Sequence, residues 1–278
     1  MFLVVGANGQ LGNELRLLLK DRAEYVDRDE LDITDQKAVL SFVKSEKYEA
    51  VINCAAYTAV DKAEDEKDLA AKINVDGPRN LALTGVPLVH ISTDYVFDGQ
   101  KCTPYVESDT TNPKSVYGST KLSGEKAVFE AADTAVVIRT AWLYSEFGNN
   151  FVKTMRRLGA EKESLNVVFD QVGTPTYAKD LAQAIVDILP QLKRGTKEIY
   201  HFSNEGVCSW YDFAVDVMEQ SGLKCKVNPI ESSQYPTKAT RPFYSVLNKA
   251  KIKAKCGVEN RHWRQALAEC IKNMENMR

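Results

Sequence analysis

Along the first half of the chain, short runs of β-branched and apolar residues alternate with stretches whose apolar positions recur at helical spacing. FLVV precedes GQLGNELRLLLK, where Leu11, Leu15, Leu18 and Leu19 share one stripe. AEYV precedes a segment that groups Ala38, Val39, Phe42 and Val43, and AVINC precedes a polar helix through KDLAAKINVDGPRNLAL. PLVHIS leads into SVYGSTKLSGE, and TAVVIR closes the series. Buried runs of this length, separated by helices, predict βαβ units and a parallel sheet. Past about residue 145 the rhythm breaks. NNFVKTMRRLG reads as a helix, LNVVF as a strand, DQVGTPT as a loop, AKDLAQAIVDIL as a helix and EIYHF as a strand, before a tail of helices and Pro/Gly turns.

The predicted fold is therefore α/β: a doubly wound parallel sheet of the Rossmann type with a smaller mixed α/β lobe. Residues 1–145 and 177–203 are assigned to the sheet domain, and 146–176 and 204–278 to the lobe. A length of 278 residues suffices for both. The formal charge of −2 and the pI near 6.0 offer nothing to a nucleic acid. Six cysteines occur without a C-x-x-C pair, the usage of a reducing compartment, and the three histidines lack ligand spacing, so no metal is expected. The apolar start stops at Gly6 with no basic segment before it, and no apolar run approaches a membrane span of about 20 residues. A cytoplasmic protein without a membrane partner is the expectation.

Candidate chemistry begins at VVGANGQLGNEL, where Gly6, Gly9 and Gly12 mark a strand-to-helix junction. Such glycines permit a tight turn, close backbone approach to a pyrophosphate and tight helix–strand packing, while the helix N-terminus offers free N–H groups to the anion. The spacing is G-x-x-G-x-x-G, and its place between first strand and first helix gives it meaning. After the second strand comes VDRDELDIT. Asp27 suits the 2′-hydroxyl of NADH, whereas Arg28 suits the 2′-phosphate of NADPH, so use of both cofactors is expected.

A second cluster lies at the carboxyl edge of the sheet, where open α/β sheets bind ligands. STDYVFDG follows the strand PLVHI, and Tyr117 and Lys121 open the next helix one turn apart on the same side. Ketone reduction needs a hydride on carbon and a proton on oxygen. Tyr117 is the candidate proton donor, and Thr93 the hydroxyl that shares the oxygen. A phenol titrates near 10; the Lys121 ammonium, together with any positive nicotinamide nearby, is expected to pull Tyr117 down by about 3 units, or about 4 kcal/mol.

With the glycine turn, STDYVF, YGSTKLSGE, RTAWLY and DQVGTPT in hand, the chain resembles the extended short-chain dehydrogenase/reductase family over nearly its whole length, most densely to about residue 182. Within it the chain looks most like the members that reduce the C4 keto group of a dTDP-4-dehydro-6-deoxy-L-sugar. The resemblance implies NADPH or NADH as cofactor, held by Asn8, Gln10 and Leu11 in the turn and by Asp32 and Ile33 at the adenine. It adds Ala55, Ala56 and Tyr57 at the end of a fourth strand, and Lys121 at the nicotinamide ribose. For the sugar it implies Thr93, Asp94, Tyr95 and Trp142. Trp142 is equally readable as a buried aromatic, Glu64 as a solvated helix charge or a sugar contact, and Arg241 as a diphosphate ligand. A dehydratase would carry a carboxylate where Tyr95 stands. A 4-epimerase with retained NAD, and a non-catalytic NAD(P)-binding regulatory subunit, remain as alternatives. Some such reductases hold Mg²⁺ with glutamates at a dimer interface. Glu14 matches one of those positions, but Lys179 stands at another, so the expectation is no metal and a monomer, with a homodimer as the alternative.

Overall fold

The computed structural model describes residues 1–44 and 47–277. Its first half follows the apolar pattern: β1 (Phe2–Val5), α1 (Gln10–Leu19), β2 (Ala23–Val26), α2 (Gln36–Phe42), β3 (Ala50–Asn53), α3 (Val60–Ala63), α4 (Lys67–Ala71), α5 (Gly77–Ala82), β4 (Leu88–Thr93), α6 (Val116–Ala131) and β5 (Ala135–Thr140). The polar helix expected over KDLAAKINVDGPRNLAL is α4 and α5 joined by a π-helix, Lys72–Asp76. π-Segments of this kind concentrate at functional sites.

The second half interleaves β6 (Leu143–Tyr144), α7 (Phe151–Glu161), β7 (Ser164–Val168), β8 (Val172–Gly173), β9 (Thr176–Tyr177), α8 (Ala178–Ile188) and β10 (Lys197–Phe202). It ends with β11 (Cys208–Ser209), α9 (Trp210–Gln220), β12 (Lys226–Ile230), α10 (Ala250–Cys256) and α11 (Trp263–Asn276). The stretch DQVGTPT, expected as a loop, carries β8 and the start of β9; β8 pairs with β11 and β9 with β6. Bridges two residues long show no alternation for a sequence reading to detect.

Six parallel strands form the main sheet in the order β10-β5-β4-β3-β1-β2. The order turns back at β1, so a crevice opens outside the carboxyl ends of β1 and β3. Alternate residues of β1 serve opposite faces. Phe2 and Val4 join Leu15, Ile52, Ile138 and Ile185, while Leu3 and Val5 join Val51, Leu88, Val128 and Val137. A separate core in the lobe gathers Tyr144, Tyr177, Phe213, Trp263 and Leu267. Ile252 and Val258 pack into the sheet core and not into the lobe core. We therefore propose the lobe as 146–176 and 204–278 without 250–258, which rejoins the sheet domain.

Glu14 lies on the buried side of α1, 2% exposed, and its Oε1 has no hydrogen-bond partner. Burial, then the nearby Glu146, push its carboxyl up to about 8. A raised carboxyl binds its proton more tightly folded than unfolded, so its contribution to stability is present at low pH and is lost as pH climbs from about 4.5 toward about 8. Glu14→Gln keeps the neutral shape. The prediction is that the native Tm falls relative to that of the variant as pH is raised across this window, by a few degrees, in thermal melts. Parallel curves would contradict it.

Candidate active site

The turn after β1 is built for an anion. Gly6 sits at φ 75°, and its N–H and that of Ala7 donate to Val26 O at 3.0 and 3.1 Å, fastening the turn to the end of β2. A Cβ on Gly6 would lie 2.6 Å from Ala55 N, and one on Gly12 2.5 Å from Gly6 O. Side chains at either place would therefore displace backbone. Gly9 caps α1 without any side-chain acceptor, leaving the first N–H groups of a ten-residue helix free.

A cavity of about 560 Å³ opens at this turn. Gly6, Asn8 and Gly9 form one side, Asp27, Arg28, Asp32 and Ile33 another, and Ala55 and Ala56 the floor. Asp27 accepts from Asn8 N–H at 2.9 Å and from Arg28 N–H at 2.8 Å, so its carboxylate is held at the rim. The Asp32 carboxylate is tied to the N–H and hydroxyl of Thr34 at 2.9 and 2.8 Å, which hold it below its usual range. These residues fit an adenine dinucleotide: backbone donors for the pyrophosphate, a carboxylate for a ribose hydroxyl, apolar walls for a base.

Four turn and strand-end residues sit differently. Gln10 is outside the cavity wall, and its Oε1 accepts from Asn150 Nδ2 at 3.0 Å. Leu11 and Gly12 are buried beneath the turn. Tyr57 donates its hydroxyl to Glu66 at 2.5 Å and its N–H to Asn74 Oδ1 at 2.9 Å. Ala55–Tyr57 follow β3, the third strand of the chain and not a fourth. The walls also include Leu31, Thr34, Cys54, Leu69, Lys72 and Ile73. Sequence reasoning missed these; an exposed Leu69 on an otherwise polar helix was the available hint.

Beside the crevice, β4 ends at Thr93 and α6 begins at Val116. Ser115 caps α6 by accepting from Gly118 N–H at 3.1 Å, and Glu64 accepts from Val116 N–H at 2.8 Å. Glu64 thus serves through Oε1 as a second acceptor for the helix start, a role that neither reading of it foresaw. Tyr117 projects half-buried from the first turn with its ring edge-on to Tyr95, centroids 5.4 Å apart. Lys121 is 2% exposed and donates to Ile91 O at 2.6 Å; burial brings its ammonium down to about 8.

The expected lowering of Tyr117 is not found. Burial pushes its phenol up, the Thr93 hydroxyl opposes this, and Asp94 adds to it. Lys121 spends its short bond on a carbonyl, so desolvation wins and Tyr117 rests as a neutral phenol with its proton in place. Behind it, Arg139 grips Glu125 at 2.9 and 2.7 Å, and Ser92 donates to Glu125 at 2.5 Å.

A second cavity, about 950 Å³, lies between the lobe and α3. Phe151, Trp210, Tyr235, Asp61 and Arg241 are among its walls. Arg241 donates to Asp61 Oδ2 at 2.7 Å and to Tyr95 Oη at 3.1 Å, so Tyr95 stands between this cleft and Tyr117. Trp142 does not line the cleft. It lies behind Trp210, stacked at 3.6 Å, with its backbone in the left-handed region at φ 49°. Thr93 and Asp94 are buried at the strand end. Trp210 and Phe151 were missed; the cap Ser209–Asp212, which starts α9 at Trp210, was the legible signal.

Lys179 pairs with Glu269 at 2.5 Å, and among the described residues no group of three or more His, Cys, Asp or Glu is disposed to hold a metal ion. Removing the Glu64 acceptor leaves Val116 N–H unpaired at the base of Tyr117. Glu64→Ala is predicted to cost about 1 kcal/mol in denaturant unfolding. An unchanged unfolding midpoint would contradict the assignment.

Residues 1–276 match the family model described as the RmlD substrate binding domain. A spore coat polysaccharide biosynthesis protein, SpsK, of Bacillus subtilis (strain 168) is 42% identical over 276 residues, covering 97% of this chain and 96% of that protein. Among solved structures, a dTDP-4-dehydrorhamnose reductase from Clostridium acetobutylicum ATCC 824 superposes with a TM-score of 0.94 at 44% identity, covering 99% of both chains. A dTDP-4-dehydrorhamnose reductase from Bacillus anthracis str. Ames, solved in complex with NADP, gives 0.93 at 38% identity and covers 98% of both chains.

Proposed function

The chain belongs to the RmlD substrate binding domain family, and from that premise we propose that it reduces the C4 keto group of dTDP-4-dehydro-6-deoxy-L-mannose to give dTDP-L-rhamnose, with NADPH or NADH as reductant. The observation that carries this reading is the group Thr93, Tyr117 and Lys121 at the carboxyl edge of β4, beside a dinucleotide-shaped cavity. Relatives named for this reaction, one of them solved with NADP, support it.

When bound, the reduced nicotinamide supplies a hydride to C4. Tyr117 gives its proton to the C4 oxygen, which balances the conversion of ketone to alcohol. Its high resting affinity for the proton keeps it an acid until negative charge develops on that oxygen. Lys121, buried and cationic, favours the phenolate left behind. Gly6, Asn8, Gly9 and the N-terminus of α1 hold the pyrophosphate, Asp27 or Arg28 meets the adenosine ribose, and Ala55 and Ala56 line the floor. Arg241 exchanges Asp61 for the sugar-nucleotide diphosphate, while Trp210, backed by Trp142, forms an apolar wall of the cleft. Tyr95 cannot act as the carboxylate base that dehydration requires. An epimerase would retain its NAD, and a regulatory subunit would not turn over; a requirement for one reduced cofactor per product separates both from a reductase.

No helix of the described chain is long and apolar enough to cross a membrane. All six cysteines are free, which suits the cytoplasm, and a monomer is the form we propose.

Product identification by NMR, with enzymatically made 4-keto substrate, tests the reaction. Tyr117→Phe is predicted to lower kcat by about a thousandfold while fluorescence titration finds cofactor affinity unchanged; turnover within about tenfold of native contradicts the role. The native kcat/KM values for NADPH and NADH are predicted to lie within about a hundredfold of each other. Asp27→Ala is predicted to move that ratio toward NADPH by about tenfold in steady-state assays, since a carboxylate that repels the 2′-phosphate is gone. A ratio that stays fixed or moves toward NADH contradicts it.

A further inference from the structure

Resting on the reductase reading, we propose that Lys72, at the head of the π-helix between α4 and α5, is a specificity-determining residue that joins Arg28 in gripping the 2′-phosphate of NADPH. The wall of the cofactor cavity carries four charged side chains, Asp27 and Asp32 against Arg28 and Lys72. The carboxylates suit ribose hydroxyls and repel a phosphate. Glu30 adds a third carboxylate at the rim, since its Oε2 accepts from Asp27 N–H at 2.9 Å. Arg28 alone would leave this end of the cavity negative. Lys72 brings the charges of the wall to balance, so that a phosphate can enter.

The helix that carries Lys72 is fastened so as to present it. Leu69, Lys72 and Ile73, at i, i+3 and i+4, share the face that lines the cavity. Asn74 accepts from Tyr57 N–H at 2.9 Å and donates to Thr120 Oγ1 at 3.1 Å. Asn80 Nδ2 donates to Ile33 O at 2.9 Å, and a Cβ on Gly77 would lie 2.5 Å from Ile33 Cδ1. Between these anchors Gly77 N–H reaches back five residues to Lys72 O, the wide turn of a π-helix. That turn lets one helical segment show Lys72 to the cavity, Asn74 to α6 and Gly77 to Ile33.

Neither cation is tied to the carboxylate that both act on. Asp32 spends Oδ1 on the N–H and hydroxyl of Thr34, at 2.9 and 2.8 Å. Thr34 does most to hold that carboxyl low; Arg28 and Lys72 add to the effect by charge alone, with no hydrogen bond to it. Lys72 is exposed, and its flexible four-carbon stem can turn to a phosphate without breaking a bond to Asp32. Arg28 comes from the turn after β2 and Lys72 from the helix, so two separate elements supply the positive charge. With NADH bound, Asp27 takes the 2′-hydroxyl and Lys72 stays in water. One cavity thereby accepts both cofactors.

Calorimetric binding of NADP⁺ and of NAD⁺, which differ only by the 2′-phosphate, tests the proposal without turnover. Lys72→Met keeps stem length and helix propensity and removes the charge. Its affinity for NADP⁺ is expected to fall about tenfold more than its affinity for NAD⁺. The native preference for NADP⁺ over NAD⁺ is expected to weaken as salt rises from about 0.05 to about 0.5 M. In steady-state assays the kcat/KM ratio of NADPH to NADH shifts toward NADH by the same factor, and Lys72→Arg, which keeps the charge, returns it to within about threefold of native. Equal losses for the two dinucleotides would overturn the proposal by making Lys72 a contact of the adenine or the pyrophosphate, and so would an unchanged NADP⁺ affinity. Lys72→Gln, polar and of similar length, gives the same reading should the methionine variant aggregate. If the native protein fails to reduce the 4-keto sugar, the reductase reading falls by itself, and dinucleotide binding still reports on Lys72. Normal reduction with an unshifted cofactor preference sinks this inference alone, and a native protein that binds neither dinucleotide sinks both.

Discussion

The site depends on how closely α6 lies against two stretches of backbone. A Cβ on Gly118 would come within 2.3 Å of Tyr95 O, and one on Gly124 within 2.0 Å of Asn74 O. Any larger residue at either place pushes the helix away from the turn after β4 or from the π-helix between α4 and α5. With glycine at both, Tyr117 reaches the strand end that carries Thr93, and Lys121 passes beneath it to the Ile91 carbonyl. The π-helix is part of the same fit. Asn74 sits in it, buried, and bonds Tyr57 N–H, Tyr57 O and Thr120 Oγ1 at 2.9, 3.2 and 3.1 Å, so the segment after β3 and α6 share one clamp.

Placing an ammonium there requires charge to be managed in the interior. Lys121 is held dry, and one turn further along α6 Glu125 is buried as well, 2% exposed. Breaking a buried pair by removing one partner typically costs about 3–5 kcal/mol, so Arg139, bidentate on Glu125, and Ser92 complete a network with little room for substitution. The network ties the helix bearing Tyr117 to β4 and β5. His90, buried with Nε2 unpaired and far below its usual range, stays neutral beside Lys121. Its neutrality means that His90 adds no positive charge beside the Lys121 ammonium.

Much of this was legible in the chain because it follows from period and punctuation. Runs such as FLVV and AVVIR alternate with helical stripes, and the three glycines of the first turn fall where β1 becomes α1, so the sheet and its glycine turn could be located from residues alone. The Thr93, Tyr117 and Lys121 constellation was legible for a related reason: strand ends and helix starts of an open sheet converge on one edge. What escaped depends on distance in space. Glu64 reads as one acid among several on a charged helix, and only the fold brings it to Val116 N–H. The electrostatics of Tyr117 were misjudged because the attraction of Lys121 is visible in a sequence, whereas desolvation is not. The segment KAKCGVENRHW had no evident purpose, yet its Val258 packs in the sheet core, its Asn260 donates to Ser203 O at 2.7 Å, and its Arg261 grips Asp180 at 2.9 and 2.8 Å. These contacts fasten the link between α10 and α11 to the end of β10 and to α8.

The lobe in turn gives the site a direction. Arg241 stands on one side of the large cleft, bonded to Tyr95, whose ring meets Tyr117 edge-on. An anion at one end and a reducible carbonyl at the other are thereby referred to one set of contacts. The most direct measurement is a crystal structure of the complex with NADP⁺ and the reduced sugar nucleotide. The account predicts that Tyr117 Oη and Thr93 Oγ1 both lie about 3 Å from the C4 oxygen, with C4 facing the nicotinamide. A C4 oxygen held by other groups, with the Tyr117 hydroxyl turned from the cofactor, would contradict it.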